Sequence, residues 1–318
     1  MGEKSGKIIG KQHRNDTAAS DFKKEENMRE RLLLVDGHNL LFRMFYGMPD
    51  NFRTQGGIKY NALYGFVSAV NKIYGMIAPT HMLVVFDSTD CGDRRTLDTD
   101  YKANRPDYSE MAPDDCPFTQ LPSIYKALEL LNIPYSEIHG FEADDVIASY
   151  ALACRDDFDV VIMSTDRDYW QLVSSTVSIL DYHGVNSTLV TPHTVRRKYG
   201  VEPSQFADWK CLVGDKSDNI VGVAGVGPKN AAALLAQFGT LECLIEHAEE
   251  IEKPSIRRAV TDAVERLTLN YKLIKLSETS ELPQEISALR LDYRRPIDIN
   301  RTCMDSIKYV ERAEVVRL

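Results

Sequence analysis

The sequence has few closely spaced cysteines and no long apolar stretches. Its six cysteines, at positions 91, 116, 154, 211, 243 and 303, are scattered, and no pair has the spacing of a zinc or redox motif. No apolar run approaches the length of a membrane-spanning helix, and the first residues lack the apolar core of a signal peptide. These absences argue against disulfide-stabilised and membrane-spanning classes, and we expect a reduced, cytoplasmic protein with no membrane contact.

The chain also lacks an excess of basic residues. It has 318 residues, 38 of them Lys or Arg and 47 Asp or Glu, which gives a net charge of −9. That total argues weakly against nucleic acid as a partner, but an acidic metal site beside a local basic face would give the same sum. The length suffices for one large or two medium domains.

Residues 1–30 are polar, mixed in charge and poor in residues that a core would bury. This composition is typical of disorder, and we expect the segment to be disordered. Met28 is followed by Arg-Glu-Arg and the first apolar run, and we expect translation to start at either Met1 or Met28.

Three short apolar runs each end in an aspartate: RLLLVD (31–36), HMLVVFD (81–87) and DVVIMSTD (159–166). Helical periodicity lies between them, which is typical of a doubly wound parallel sheet. Ligands of such sheets bind beyond the carboxyl ends of the strands. One acid at a strand end is more often a turn or cap residue. We nevertheless expect four acids to meet on one rim: Asp36, Asp87, Asp166 and Asp168.

Three carboxylates crowd the start of a predicted helix over Val146–Cys154. They are Glu142, Asp144 and Asp145. The alternative to a metal site is that they complement the helix dipole, which one or two acids would satisfy. Crowded carboxylates repel one another. Together with the strand-end acids, they favour divalent cations as the counter-charge.

Residues 88–117 form a polar insertion that carries Arg94, Tyr101, Lys102 and Arg105. An insertion of this size in a compact domain is usually functional or disordered, and a solvated loop is the alternative interpretation. After it, helical periodicity resumes over Phe118–Leu131.

The second half begins with two predicted strands within Val177–Val190 and then becomes mostly helical. A polar stretch, Gly214–Asn219, adds Asp215 and Asp218. The glycine-rich run Gly222–Lys229 opens a helix, and backbone N–H groups at such a turn can seat a phosphate, although GxGxxG-like runs are weak evidence. Residues 257–277 are predicted to form one long helix, and no structure is assigned to the last forty residues.

Six motifs in this order make the chain similar to the 5′-nuclease family: LLLVDGHNLLFR, VVFD, DYKANRP, GFEADDV, STDRD and GDKSDNIVGVAGVGPKNA. This family comprises the flap endonucleases and 5′–3′ exonucleases of bacteria and phages, and its module also forms the N-terminal domain of bacterial DNA polymerase I. The resemblance covers roughly residues 31–280 and implies a PIN-like α/β fold with a mostly parallel doubly wound sheet, a helical arch insertion and a C-terminal helix–three-turn–helix region. We therefore expect an α/β core over residues 31–191 with an arch at 88–117, a helical DNA-binding region over 192–280 and a C-terminal segment over 281–318.

The resemblance also implies site roles. Arch residues would handle a single-stranded 5′ end, with Lys102, Arg105 and Arg94 as catalytic cations and Tyr101 as a DNA contact. The glycine-rich turn would hold duplex DNA through Gly222, Gly225, Gly227 and Lys229, usually with a monovalent cation such as K⁺. Asp93 and Ala224 depart from the family pattern, in the arch and in this turn. The acids matching metal ligands are Asp36, Asp87, Glu142, Asp144, Asp145, Asp166, Asp168, Asp215 and Asp218.

The implied activity is structure-specific hydrolysis of DNA phosphodiesters near 5′ ends and single-strand/duplex junctions, in replication and repair. Two or more Mg²⁺ ions would serve as cofactors, with Mn²⁺ as a substitute, in a monomer linked functionally to a separate DNA polymerase. Two alternatives remain: a PIN-like ribonuclease, and a non-catalytic protein that binds branched DNA.

Overall fold

The computed structural model describes residues 29–88, 93–277, 282–292 and 297–317. Apart from Arg29 and Glu30, the segment expected to be disordered, including Met28, lies outside the described residues. The strands are β1 (Glu30–Asp36), β2 (His81–Phe86), β3 (Tyr135–Glu137), β4 (Phe158–Met163), β5 (Val177–Asp181), β6 (Thr188–Val190), β7 (Gly214–Asp215) and β8 (Ile220–Val221). The α-helices are α1 (Gly37–Gly47), α2 (Asn61–Ile77), α3 (Asp93–Leu97), α4 (Leu121–Leu130), α5 (Ala143–Cys154), α6 (Pro192–Tyr199), α7 (Phe206–Val213), α8 (Pro228–Phe238), α9 (Leu241–Glu246), α10 (Pro254–Asp262), α11 (Val264–Ile274) and α12 (Ile299–Arg317).

A six-stranded sheet organises the first half of the chain, with the strand order β3-β2-β1-β4-β5-β6. Strands β1 to β5 run parallel to their neighbours, and β6 pairs antiparallel with β5. The predicted mostly parallel, doubly wound sheet is therefore confirmed. A separate two-stranded sheet pairs β7 with β8.

Side chains of β1 alternate between two cores, as the two-residue period of a strand requires. Leu32 and Leu34 belong to the core that includes α5 and the helices of the second half, whereas Leu33 and Val35 belong to the core on the other face. All four are fully buried. Both faces of the sheet are covered, which explains why the central strands read as continuous apolar runs.

The second half departs from the prediction at residues 257–277, where the single long helix is wrong. Two helices, α10 and α11, occupy this stretch and are separated at Ala263. The N–H of Ala263 donates to the carbonyl of Val260, so α10 closes with a tight turn before α11 begins.

The last forty residues contain a helix to which the sequence analysis assigned no structure. Helix α12 packs against α2 and α4, and its residues Cys303 and Ile307 lie in the core on that face of the sheet. The Lys126 ammonium lies 3.8 Å from the centre of the Tyr309 ring, a cation–π contact between α4 and α12. Throughout the described ranges, no helix is both long enough and apolar enough to cross a membrane.

Candidate metal centre

The carboxyl ends of β1 and β2 place two acids against helix starts. Asp36 ends β1, and its side chain accepts hydrogen bonds from the Asn39 N–H (2.9 Å) and the Ser164 hydroxyl (3.0 Å). Asp87 follows β2 and accepts one from the N–H of Ala143, the first residue of α5 (2.8 Å). The strand-end acids and the α5 acids therefore meet at one edge of the sheet.

A buried tyrosine that the sequence analysis did not single out connects these acids. The Tyr169 hydroxyl lies 2.8 Å from Asp144 and 3.4 Å from Asp36, and its ring is fully buried. Tyr169 directly follows Asp168, but nothing in the local pattern indicates that its hydroxyl reaches back to β1 and α5.

A buried lysine, also missed, joins two further acids. Lys210 in α7 is 6% exposed, and its ammonium contacts the carboxylates of Asp168 and Asp215, the second at 2.5 Å. Asp168 in turn donates its N–H to Asp166 (2.9 Å). Asp215, the acid of β7, is thereby tied to the acids that follow β4.

Basic side chains of the polar insertion form ion pairs with the remaining acids. Arg94 bridges Glu142 (2.6 Å) and Asp145 (2.7 Å), and Lys102 also contacts Glu142 (3.2 Å). Arg105 pairs with Asp218 at 3.0 Å. Residues 93–117 consist of α3 followed by turns up to the 3₁₀ helix at Pro117–Gln120, and this insertion docks onto the acidic rim through its cations.

Tyr101, which is predicted to contact DNA, is largely buried in this structure. Its ring is 3% exposed and belongs to the core beneath Lys102, whose ammonium lies 4.8 Å from the ring centre. Burying the aromatic surface stabilises this placement, so Tyr101 supports Lys102 and does not face solvent. The Asp93 side chain lies outside the described part of the molecule.

The glycines of the predicted duplex-binding turn differ in whether packing or backbone conformation requires glycine at their position. A Cβ on Gly222 would lie 2.3 Å from the Val213 carbonyl carbon, so packing alone requires glycine there. Gly225 has φ +76, and Gly227 has an ordinary φ; an added Cβ at either would meet no atom within 4 Å. Lys229 and Ala224 are exposed. Room for a ligand therefore exists at Gly225 and Gly227.

Burial and mutual repulsion raise the pKa values of three of the crowded acids. Burial, reinforced by the negative charges of Asp87 and Asp166, raises the pKa of Asp36 to about 7. Burial and the charge of Asp166 raise the pKa of Asp168 to about 7, although Lys210 acts in the opposite direction. The same two causes raise the pKa of Asp144 well above its ordinary value. Burial also disfavours the charged form of Asp87, but His38 and the Ala143 N–H lower its pKa below the ordinary value.

Within the described ranges, no three His, Cys, Asp or Glu side chains are placed as a ready-made metal-binding group. Basic side chains instead stand between the carboxylates, as Lys210 does between Asp168 and Asp215. Asp36, Asp144 and Asp166 have no basic side chain within ion-pair distance in the described part of the chain. Crowded oxygen donors without a cation in direct contact fit a hard divalent cation.

The chain resembles known proteins along most of its length. A family model described as the 5′–3′ exonuclease N-terminal resolvase-like domain matches residues 31–200, and one described as the 5′–3′ exonuclease C-terminal SAM fold matches residues 201–296. The 5′–3′ exonuclease of Aquifex aeolicus is 36% identical over 271 residues, which cover 85% of this chain and 89% of the relative. DNA polymerase I of Bacillus caldotenax is 36% identical over 274 residues, which cover 84% of this chain but only 30% of the polymerase.

Solved structures show the same fold. The bacteriophage T5 5′-exonuclease with bound zinc ions has a TM-score of 0.65 and 24% identity, and the match covers 88% of this chain and 99% of that chain. The T5 flap endonuclease in a complex with DNA and metal ions has a TM-score of 0.66 and 22% identity, with coverage of 89% and 100%. Together with the two family models, these relatives confirm the resemblance seen in the motifs. The chain therefore belongs to the 5′–3′ exonuclease family.

Proposed function

We propose that the protein is a structure-specific 5′-nuclease, a Mg²⁺-dependent 5′–3′ exonuclease and flap endonuclease that hydrolyses DNA phosphodiesters near 5′ ends and junctions in replication and repair. The observation that carries this proposal is the convergence of acids from β1, β2, α5, the segment after β4 and the β7–β8 region on one rim. Three of these acids, Asp36, Asp144 and Asp166, have no basic side chain within ion-pair distance in the described part of the chain, although the more distant charge of Lys102 acts on Asp144.

In this proposal, the nine acids predicted from the sequence hold two or more Mg²⁺ ions, which Mn²⁺ can replace. Bound divalent ions supply an activated hydroxide and neutralise charge on the phosphate. Magnesium retains several waters, so the acids can outnumber its direct ligands. Tyr169 keeps Asp36 and Asp144 in place through its hydroxyl.

Lys102, Arg105 and Arg94 are proposed to stabilise negative charge on the phosphate during transfer. Each already lies beside an acid of the rim, so each is close to where the phosphate must bind. Preorganised cations of this kind stabilise charge that develops in the transition state. Glu142 holds both Arg94 and Lys102 in position until the substrate arrives.

Duplex DNA is proposed to bind the turn Gly222–Lys229, where the backbone at Gly225 and Gly227 has room for a close approach. A K⁺ ion bound to carbonyl groups of this turn would support the contact. The start of α8 directs free N–H groups outwards, and Lys229 adds a positive charge beside them.

The proposed partners are DNA with a 5′ flap or a 5′ end at a junction, and a separate DNA polymerase. The chain spans 30% of the polymerase relative, so polymerase activity is not part of this proposal. We further propose that it acts as a monomer in the cytoplasm. Light scattering on the purified protein, alone and with one flap DNA, tests the monomer.

The deciding experiment incubates a labelled 5′-flap DNA, and its RNA counterpart, with and without Mg²⁺. The proposal expects Mg²⁺-dependent cutting of the DNA near the junction. A preference for the RNA would favour the PIN-like ribonuclease. Tight binding of the DNA without cutting in Mg²⁺ or Mn²⁺ would favour the non-catalytic branched-DNA-binding protein.

A further inference from the structure

A cavity of about 330 Å³ lies beside the acidic rim, and three basic side chains line part of its wall. Arg43 comes from α1, Arg167 from the segment after β4, and Lys198 from α6. Asp181 is the only acid among the lining residues. Three separate elements thus bring positive charge to one concave surface.

The cations of this cavity differ from those of the rim in lacking carboxylate partners. In the described part of the chain, neither Arg167 nor Lys198 has a carboxylate within ion-pair distance. The Lys198 ammonium lies 5.0 Å from the centre of the Trp170 ring, which orients it without neutralising its charge. Both groups retain hydrogen-bond donors for an anion.

Asp181, the single acid that lines the cavity, lies beside His183. A guanidinium only donates, so the 2.5 Å contact between Arg43 Nη2 and His183 Nδ1 makes Nδ1 the acceptor. The other nitrogen, Nε2, then carries the proton and lies 2.9 Å from Asp181 Oδ1, which accepts no hydrogen bond within the described residues. The contact with His183 places the Arg43 side chain at the cavity wall, and three cations against one acid leave the cavity with an excess of positive charge.

The basic cavity adjoins the acidic rim. Thr165 and Arg167 line both this cavity and the cavity of about 380 Å³ that contains Asp166, Lys210 and Asp215. A nucleic-acid strand with one phosphate at the rim therefore has a neighbouring phosphate within reach of Arg167.

We propose that the basic cavity binds a phosphate group of the DNA strand that is being cut, adjacent to the phosphate at the rim. Arginine and lysine side chains make most protein contacts to phosphate, and arginine does so with two donors at once. This inference rests on the proposed nuclease function. The phosphate has two sources, an internal phosphodiester or a terminal 5′-phosphate.

The test compares DNA binding by Arg167→Gln, Lys198→Gln and the double variant with that of the parent protein. Fluorescence anisotropy of a 5′-flap DNA, with Ca²⁺ in place of Mg²⁺, measures affinity across a series of salt concentrations. The matched control is Arg197→Gln, which removes the same charge from the exposed surface of α6 but does not line the cavity. Thermal melting verifies that every variant is folded.

We expect the double variant to bind about tenfold or more weakly, and the control to stay within about twofold of the parent. The slope of log K against log salt should fall by about 0.7–0.9 for each phosphate interaction that a substitution removes. Equal losses of affinity in the variants and in the control would show a general effect of charge and would overturn the proposal, as would parental affinity in the double variant.

A second measurement locates the phosphate. Methylphosphonates placed singly at the linkages around the cleavage site remove one charge at a time. One of them should weaken binding by the parent and have no further effect on the double variant. If instead only DNA with a 5′-phosphate distinguishes the two proteins, the terminal group is the ligand.

Failure of this inference is distinguishable from failure of the nuclease function. A parent that cuts the flap in Mg²⁺, with a double variant that binds DNA normally, refutes the cavity and leaves the function intact. A parent that does not cut refutes the function, and the salt slopes then report on the cavity independently.

Discussion

The acidic rim and the basic cavity lie side by side, but their cations differ in whether they have carboxylate partners. At the rim, Arg94, Lys102 and Lys210 are buried against carboxylates. In the cavity, Arg167 and Lys198 have no such partners within the described ranges. The rim cations serve first as counter-charges for the acids, whereas the cavity cations are already available for a ligand. A rim cation can therefore turn to a phosphate only if another positive charge compensates its acid.

The largest effect should come from removing an acid that has no cation. We expect Asp166→Ala to lower the single-turnover cleavage rate at least about a thousandfold, about 4 kcal/mol, while the protein stays folded. Its metal-free melting temperature should not fall, because Asp36 and Asp168 lose a repelling neighbour. Asp159→Ala, at the opposite end of β4, is the matched control and should cut normally. Near-parental cutting by Asp166→Ala would remove this acid from the metal centre.

The second prediction breaks the pairing at Lys210. Replacing Lys210 with Met leaves Asp168 and Asp215 buried without their cation, and removing one partner of such a pair costs about 3 kcal/mol or more. We expect this loss in chemical denaturation of the metal-free protein, with partial recovery in Mg²⁺. The exposed neighbour supplies the control Lys216→Met, which should change stability little. Full stability of metal-free Lys210→Met would show that the pairing is not a needed counter-charge.

Sequence reasoning predicted the acids of the rim but not their partners. A carboxylate at the end of an apolar run is visible in the chain because a parallel strand places it at the sheet edge, as for Asp36 and Asp87. The partner of Asp168 is Lys210, more than forty residues away in an ordinary helix. Tyr169 and Arg167 were missed for the same reason: their roles depend on what the fold brings together, and no periodicity encodes it.

The hydrophobic periodicity of the sequence also does not predict the shortest strand or the exact boundaries of some helices. The edge strand β3 has three residues, too few for an alternation to be recognised. Helix α12 follows polar residues and buries only a narrow face, so the sequence of the last forty residues gives little periodic signal. The division between α10 and α11 depends on one turn at Ala263, where composition does not change.

The third prediction uses pH to test the crowding of the acids at the rim. Asp36 and Asp168 have folded-state pKa values of about 7, whereas an aspartate in the unfolded chain titrates near pH 3.9, so the folded protein binds protons more tightly. Their stabilising contribution is complete below about pH 4 and is lost as pH rises towards 7.

We expect the metal-free protein to lose on the order of 4 kcal/mol of unfolding free energy between pH 5 and 7, about 2 kcal/mol for each of the two aspartates, and a smaller loss in Mg²⁺. The lowered pKa values of Asp87 and Asp215 act below about pH 4 and do not oppose this trend. His81, whose pKa is lowered by burial, contributes equally with and without Mg²⁺. Identical pH profiles in the two conditions would contradict the metal centre.

The fourth prediction asks whether a paired cation also serves the reaction. Lys102→Ala should slow single-turnover cutting of a flap by more than about 1.4 kcal/mol, a tenfold effect, with duplex affinity nearly unchanged. Lys126→Ala removes a lysine on the opposite face of the sheet, beside Tyr309, and should leave the rate unchanged. A loss of affinity without a loss of rate on bound DNA would make Lys102 a phosphate anchor like the cavity cations.

The smallest effects belong to the duplex-binding turn, where the ligand is expected to meet backbone and only one cation, Lys229. Gly225 has φ +76, so Gly225→Ala should cost the free protein about 1 kcal/mol of stability through the backbone alone.

Gly227 has an ordinary φ and open space around a new Cβ, so Gly227→Ala should melt like the parent. Any weakening of duplex binding by Gly227→Ala then reports contact with DNA and not strain, and we expect a loss of about threefold, or 0.65 kcal/mol. Short single-stranded 5′ ends should be cut at the parental rate, because the rim lies elsewhere. Parental duplex affinity in Gly227→Ala would move the duplex contact away from this turn.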